Sequence, residues 1–173
     1  MGWFDRQPPR RTSEPYPPNF TERTRVVLAH ARDEATGLGH EYVGTEHILL
    51  ALARQDEGVS AAVLDNLGVR ADELRDRTLR TVQRGTARGA AAAALPLTSR
   101  AQKVLELAAA ESRELGHLYV GTEHLLLGLV REQRGIAAQL LVDAGVTVER
   151  ARAETLRLLG PSLETADPPE QPA

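Results

Sequence analysis

Apolar residues return to one helical face along this chain, and the whole series is written twice in the same order. Val27, Leu28, Ala31, Ala35 and Leu38 follow the three-to-four-residue spacing of an amphipathic helix, and Val104, Leu105, Ala108, Ser112 and Leu115 repeat it. The next segments, EHILLALAR and EHLLLGLVR, are apolar on most sides, which predicts central helices packed inside a bundle. A third helix is predicted from Val59, Val63, Leu64 and Leu67, matched by Ile136, Leu140, Leu141 and Ala144, with Gly58 and Gly135 before it and Gly68 and Gly145 after it. A fourth runs near Ala71 to Val82 and near Val148 to Leu159. No segment shows the period-2 alternation of a half-buried strand. The pattern therefore predicts an all-α fold, an eight-helix bundle built from two four-helix repeats.

The two copies align at a constant offset of 77 residues, and GHEYVGTEH at 39–47 returns as GHLYVGTEH at 116–124. Repeat 1 is placed at 20–82, a Gly/Ala-rich linker at 83–96 and repeat 2 at 97–159. Two copies are too few for a solenoid, so a pseudo-twofold pair sharing one core is expected. The linker either stays flexible or lets its Ala run prolong a helix. Residues 1–19 carry five prolines and read as a disordered leader, and 161–173 read as a disordered acidic tail.

Local signals refine the helix ends. Thr21 can cap the first helix through its hydroxyl, and Gly37, Gly39 and Gly116 can stop that helix and its copy. Thr45 and Thr122 are expected to cap the second helices. Glu46 and Glu123 then fall in exposed first turns, where the helix dipole favours an acid.

Composition narrows the function. The chain of 173 residues has no Cys, which excludes disulfides and thiolate metal sites. Its net charge of -3, with basic and acidic residues dispersed, gives no footprint for a phosphate backbone, so nucleic acid is not an expected partner. No stretch reads as a signal sequence or a membrane span, and a cytoplasmic protein is expected.

Four of the five histidines, His40, His47, His117 and His124, belong to the repeated motif, with His30 outside it. His40-Glu41 opens an HExxH pattern, but Gly44 stands where the second His is needed and Leu118 replaces Glu41 in the copy. No metal, cofactor or catalytic residue is expected, and the histidines are assigned to holding loops by hydrogen bonds. The GTEH motifs carry more. Their residue types are explained by a helix start alone, yet a carboxylate there can also hold a guanidinium by a two-pronged bond. Free N–H groups at the helix starts of Thr21 and Thr98 suit a phosphate.

FTERTRVVLAHA with LGHEYVGTEHILLAL, and LTSRAQKVLELA with LGHLYVGTEHLLLGL, resemble the double repeat of the Clp amino-terminal domain, in particular the ClpC type. The resemblance covers about 20–159. It implies an eight-helix pseudo-twofold bundle that receives substrates and adaptors for an AAA+ unfoldase, and in the ClpC type a domain that recognises phosphorylated arginine. It further implies that Glu46 and Glu123 contact the guanidinium, and that the helix starts of Thr21 and Thr98, with Arg23 and Arg100, lie near the phosphoryl group. Leu97-Thr98-Ser99-Arg100 departs from the family's aromatic followed by Thr-Pro-Arg, and so lacks the aromatic surface on which cyclic-peptide antibiotics stack in some members. There is no Walker A motif, so a stand-alone, non-catalytic module is expected. Two readings remain at this point. One is a module that binds phosphoarginine-bearing proteins or peptides; the other is a regulator or decoy that binds a Clp unfoldase, its adaptors or antibiotic peptides without using the tag site.

Overall fold

A computed structural model describes residues 19–89, 92 and 95–160. The expected leader, up to residue 18, and the acidic tail at 161–173 lie outside the described residues. Eight helices are present: α1 (Glu22–Gly37), α2 (Thr45–Ala53), α3 (Val59–Asn66), α4 (Ala71–Thr81), α5 (Ser99–Glu114), α6 (Thr122–Glu132), α7 (Ile136–Asp143) and α8 (Val148–Leu159). The only extended pairing among the described residues is two isolated parallel bridges, Phe20 with Val120 and Val43 with Leu97.

The helix ends follow from local chemistry. The hydroxyls of Thr21 and Thr98 accept from the backbone N–H of Thr24 (3.2 Å) and Ala101 (3.1 Å), satisfying first-turn donors of α1 and α5. At the other end, Gly39 and Gly116 take the left-handed conformation, with φ of 73° and 72°. The next amides, of His40 and His117, reach back to the carbonyls of Ala35 (2.9 Å) and Ser112 (2.8 Å). This is a Schellman closure, and it fixes where the first His of each motif stands.

All nine residues of α2 are buried, as are Thr122 to Val130 of α6, so these two helices are central as their apolar composition predicts. α1 packs on α2 and α5 on α6. The third helices cross over: α3 packs mainly on α6 and α8 of the other repeat, and α7 packs on α2 and α4 as well as on α6. Both repeats consequently contribute to one continuous apolar core, from Val27, Leu28 and Leu49 to Val104, Leu126 and Leu141. The first part of the linker is held. Gly85 N–H donates to Leu38 O (2.8 Å) and Ala87 N–H to Gly39 O (3.0 Å), so Gln83 to Ala87 runs against the loop of repeat 1.

Candidate functional site

The two bridges decide which helix start faces which GTEH motif. Val43 N–H donates to Pro96 O (2.8 Å) and Val43 O accepts from Thr98 N–H (2.9 Å), which lays the entrance of α5 beside Gly44 to Glu46. In the other half, Val120 N–H donates to Asn19 O (2.8 Å) and Val120 O accepts from Thr21 N–H (3.1 Å). The motif of each repeat therefore lies beside the first-helix start of the other.

Gly44 and Gly121, not Thr45 and Thr122, occupy the caps of α2 and α6. Each helix starts one residue earlier than the expected Thr cap, with Gly44 N–H donating to His47 Nδ1 (2.8 Å) and Gly121 N–H to His124 Nδ1 (2.9 Å). The Thr hydroxyls turn instead to the third helix of the opposite repeat. Thr45 Oγ1 accepts from Ala137 N–H at a long 3.5 Å, and Thr122 Oγ1 from Ser60 N–H at 3.4 Å.

The histidines hold the loops, as expected, by bonding to each other. His40 Nε2 lies 2.8 Å from Gln83 O and must donate to it, since a carbonyl only accepts. His40 Nδ1 is then an acceptor in the neutral ring, and His47 Nε2 donates to it across 2.7 Å. His117 and His124 repeat that 2.7 Å contact. Burial, with a second contribution from the neighbouring ring, lowers His47 to about 4 and His124 to about 3. Both rings are neutral, so the approaches of His47 to Glu46 (3.9 Å) and of His124 to Glu123 (3.5 Å) are not ion pairs. His40, Glu46 and His47 place ligand-type atoms within 4.8 Å of one another. Both nitrogens of His47 and both of His40 are spent on the hydrogen-bond chain, so a metal ion would have to break it.

Glu46 and Glu123 are 8 % and 2 % exposed, which corrects the expectation of exposed acids. The cause is the glycine cap: with no side chain at Gly44 or Gly121, each carboxylate folds back into the space a Cβ would fill. Among the described residues the Glu46 carboxylate meets no side-chain donor. Glu123 Oε1 is buried without a hydrogen-bond partner. Burial raises the pKa of Glu123 above the usual carboxylate range. An acid whose pKa is raised on folding weakens the folded state as pH rises through that value. Glu123→Gln is thus expected to raise the urea midpoint at pH 7, and a lower midpoint would show that the charge stabilises the fold.

Of the residues expected at the site, Glu46, Thr98 and Arg100 line one cleft of about 480 Å³, together with Gly44, Ser99 and Arg134. Thr21 and Arg23 line a second, more open cleft of about 770 Å³, with Glu22 and Glu57. Glu123 is not in its wall and is tied to Thr21 through Val120. Arg100 Nη1 donates to Glu132 Oε1 (3.3 Å), and Arg23 lies 3.9 Å from Glu57.

Sequence reasoning missed a second pair of polar centres. Glu34 accepts from Arg75 (2.8 and 3.1 Å) and Arg54 (3.3 Å). Glu111, fully buried, accepts two bonds from Arg152 (2.8 and 2.6 Å) and one from Arg131 (2.9 Å). All three residues recur at the offset of 77, and each Glu sits on the apolar face of its helix. Those two facts together were the available signal.

The fold defines a tandem four-helix-repeat domain in which the GTEH motif of each half lies beside the first-helix start of the other. The chain belongs to the family described as the Clp repeat (R) N-terminal domain, whose model matches 19–144 and 97–172. It is 47 % identical over 141 residues to the negative regulator of genetic competence ClpC/MecB of Bacillus subtilis, covering 82 % of this chain and 17 % of that protein. The N-terminal domain of the chaperone ClpD from Arabidopsis thaliana shares the fold at a TM-score of 0.65 and 24 % identity, covering 86 % of this chain and 98 % of that one. A ClpV N-domain solved in complex with a VipB peptide does so at 0.67 and 20 %, covering 85 % and 91 %. The chain thus spans about a sixth of the length of the curated ClpC relative.

Proposed function

We propose that this domain is a non-catalytic recognition module that takes phosphoarginine side chains of proteins in its two composite sites, and presents those proteins to a Clp unfoldase in the cytoplasm. One observation carries the reading. Glu46, buried and without a side-chain partner among the described residues, lines the same cleft as the first turn of α5 with Arg100. A phosphoryl-guanidine sets an anionic head beside a planar array of N–H donors. It calls for a carboxylate on one side and helix-start amides with an arginine on the other. The ClpV N-domain complex with a VipB peptide supports protein segments as the partner class.

Calorimetry with free phosphoarginine, against arginine and inorganic phosphate as controls, tests the proposal. Glu46→Gln is expected to lower affinity at its site by about tenfold to a hundredfold, the equivalent of one charge-assisted contact. Gly44→Ala makes a sharper probe. The φ of -97° at Gly44 suits alanine, but the added Cβ would overlap the Glu46 carboxylate and push it aside. Binding should fall as in the Gln variant while the helical circular dichroism stays. Parent-like binding by both variants would exclude Glu46 from the site.

A further inference from the structure

We infer that the two sites are unequal: the cleft holding Glu46 takes the phosphoryl-bearing ligand more tightly than the site of Glu123, and Arg134 is the residue that sets the difference. This rests on the phosphoarginine reading above and adds a ranking to it.

The shared core makes the inner parts of the sites alike, with the same Gly-Thr-Glu-His, the same Thr cap and the same arginine two residues after it. The rims are not alike. Ser99 and Arg134, both exposed, flank the cleft of Glu46, and the matching positions around Thr21 are Glu22 and Glu57. Asp56 stands beside Glu57, where the other repeat has Gln133. A phosphoryl group carries roughly one and a half to two negative charges at pH 7. At these three matched rim positions it meets a serine, a glutamine and an arginine at one site and three carboxylates at the other, while Glu132 of the first site and Arg54 of the second are already paired, with Arg100 and Glu34.

Access points the same way. Glu46 belongs to the cleft wall, whereas Glu123 is 2 % exposed and lies outside the wall of the neighbouring cleft. The cations differ as well. In each cleft one arginine is already drawn to an acid, Arg100 to Glu132 (3.3 Å) and Arg23 to Glu57 (3.9 Å); the second arginine is Arg134 in the first, with no side-chain ion pair among the described residues, and Arg54 in the other, bonded to Glu34. One site offers its ligand an uncommitted guanidinium and an approachable acid. The other offers neither.

Titration of the full chain with free phosphoarginine, followed by calorimetry and by the amide resonances of Gly44 and Gly121, tests the ranking. Two classes of site at least about tenfold apart are expected, with Gly44 responding first. Arg134→Glu should bring the first class down toward the second, and Glu57→Arg should raise the second. Both effects should shrink in high salt, because the charges concerned are exposed. Arg134→Lys should retain most of the parent affinity. Equal affinities in the parent, or Gly121 responding first, overturn the ranking and leave the phosphoarginine reading standing. No response at either amide removes both.

Discussion

Glu111→Ala is expected to destabilise the domain by about 3 kcal/mol, seen as a lower urea midpoint with an unchanged slope. Glu111 is fully buried and receives three hydrogen bonds from two guanidiniums, two of them as the parallel pair from Arg152. Breaking a buried ion pair by removing one partner generally costs about 3 to 5 kcal/mol, because the survivor keeps a charge it cannot solvate. The lower end applies here. Side chains of Arg131 and Arg152 remain about a third exposed, and each also reaches Glu114. Glu114→Ala, at a half-exposed acid, is expected to cost less than about 1 kcal/mol. In repeat 1 the place of Glu114 is taken by Gly37, so Arg54 and Arg75 have no second acid of that kind if Glu34 is removed. If Glu111→Ala and Glu114→Ala cost the same, the buried carboxylate is not the organising member of the cluster.

Acid should unfold this domain early. His47 and His124 are held neutral by burial, at about 4 and about 3 against an ordinary value of 6.5. Lowered folded-state values mean that the unfolded chain binds protons first. The contribution of these rings is therefore fully present above about pH 6.5 and is lost progressively as pH falls toward 4 and then 3. Each ring shifts by more than two pKa units, so a few kcal/mol per ring are involved at the acid end, against a total stability of about 5 to 15 kcal/mol for a typical domain. Urea midpoints measured from pH 7.5 to 4.5 should begin to fall below about pH 6.5, before ordinary carboxylates titrate. In His47→Gln with His124→Gln, an amide can still accept the cap amide. That variant should be weaker at pH 7 and show a flatter profile between pH 6.5 and 4.5. A parent profile flat down to pH 5 would mean that the rings are charged in the fold.

The helices and their doubling were legible because apolar spacing and glycine stops are local signals, and at an offset of 77 each copy checks the other. The places of Glu46, Thr98 and Arg100 were legible one at a time. Their meeting was not, since it depends on the bridge between Val43 and Leu97, and nothing in the order of residues says that α5 enters beside the motif of the other repeat. Thr45 misled for a related reason: threonine before an apolar run is the usual cap, but the helix starts one residue earlier, at Gly44, whose N–H donates to His47 Nδ1 at the head of a chain of bonds that also anchors His40. The burial of Glu46 was hidden in an absence, the missing side chain of Gly44. His40 bonding to Gln83 links a loop to the linker 43 residues away, a tertiary fact with no local trace.

The exchange of third helices between the halves also bears on how a duplicated chain can drift. Because α3 rests on α6 and α8, and α7 on α2 and α4, an inward change in either copy is felt by its twin. Inward differences between the copies range from one apolar shape for another, as with Val63 against Leu140 and Ile48 against Leu125, to changes of polarity or size, as with Thr24 against Ala101, Ser60 against Ala137 and Leu74 against Ala151, but none introduces a charge. Exposed rims are under no such mutual restraint, and there Glu57 faces its twin Arg134 with the opposite sign. Interlocking thus works as a filter on divergence: inside, the two copies change only in ways both halves can pack, and at the mouths they are free to change sign.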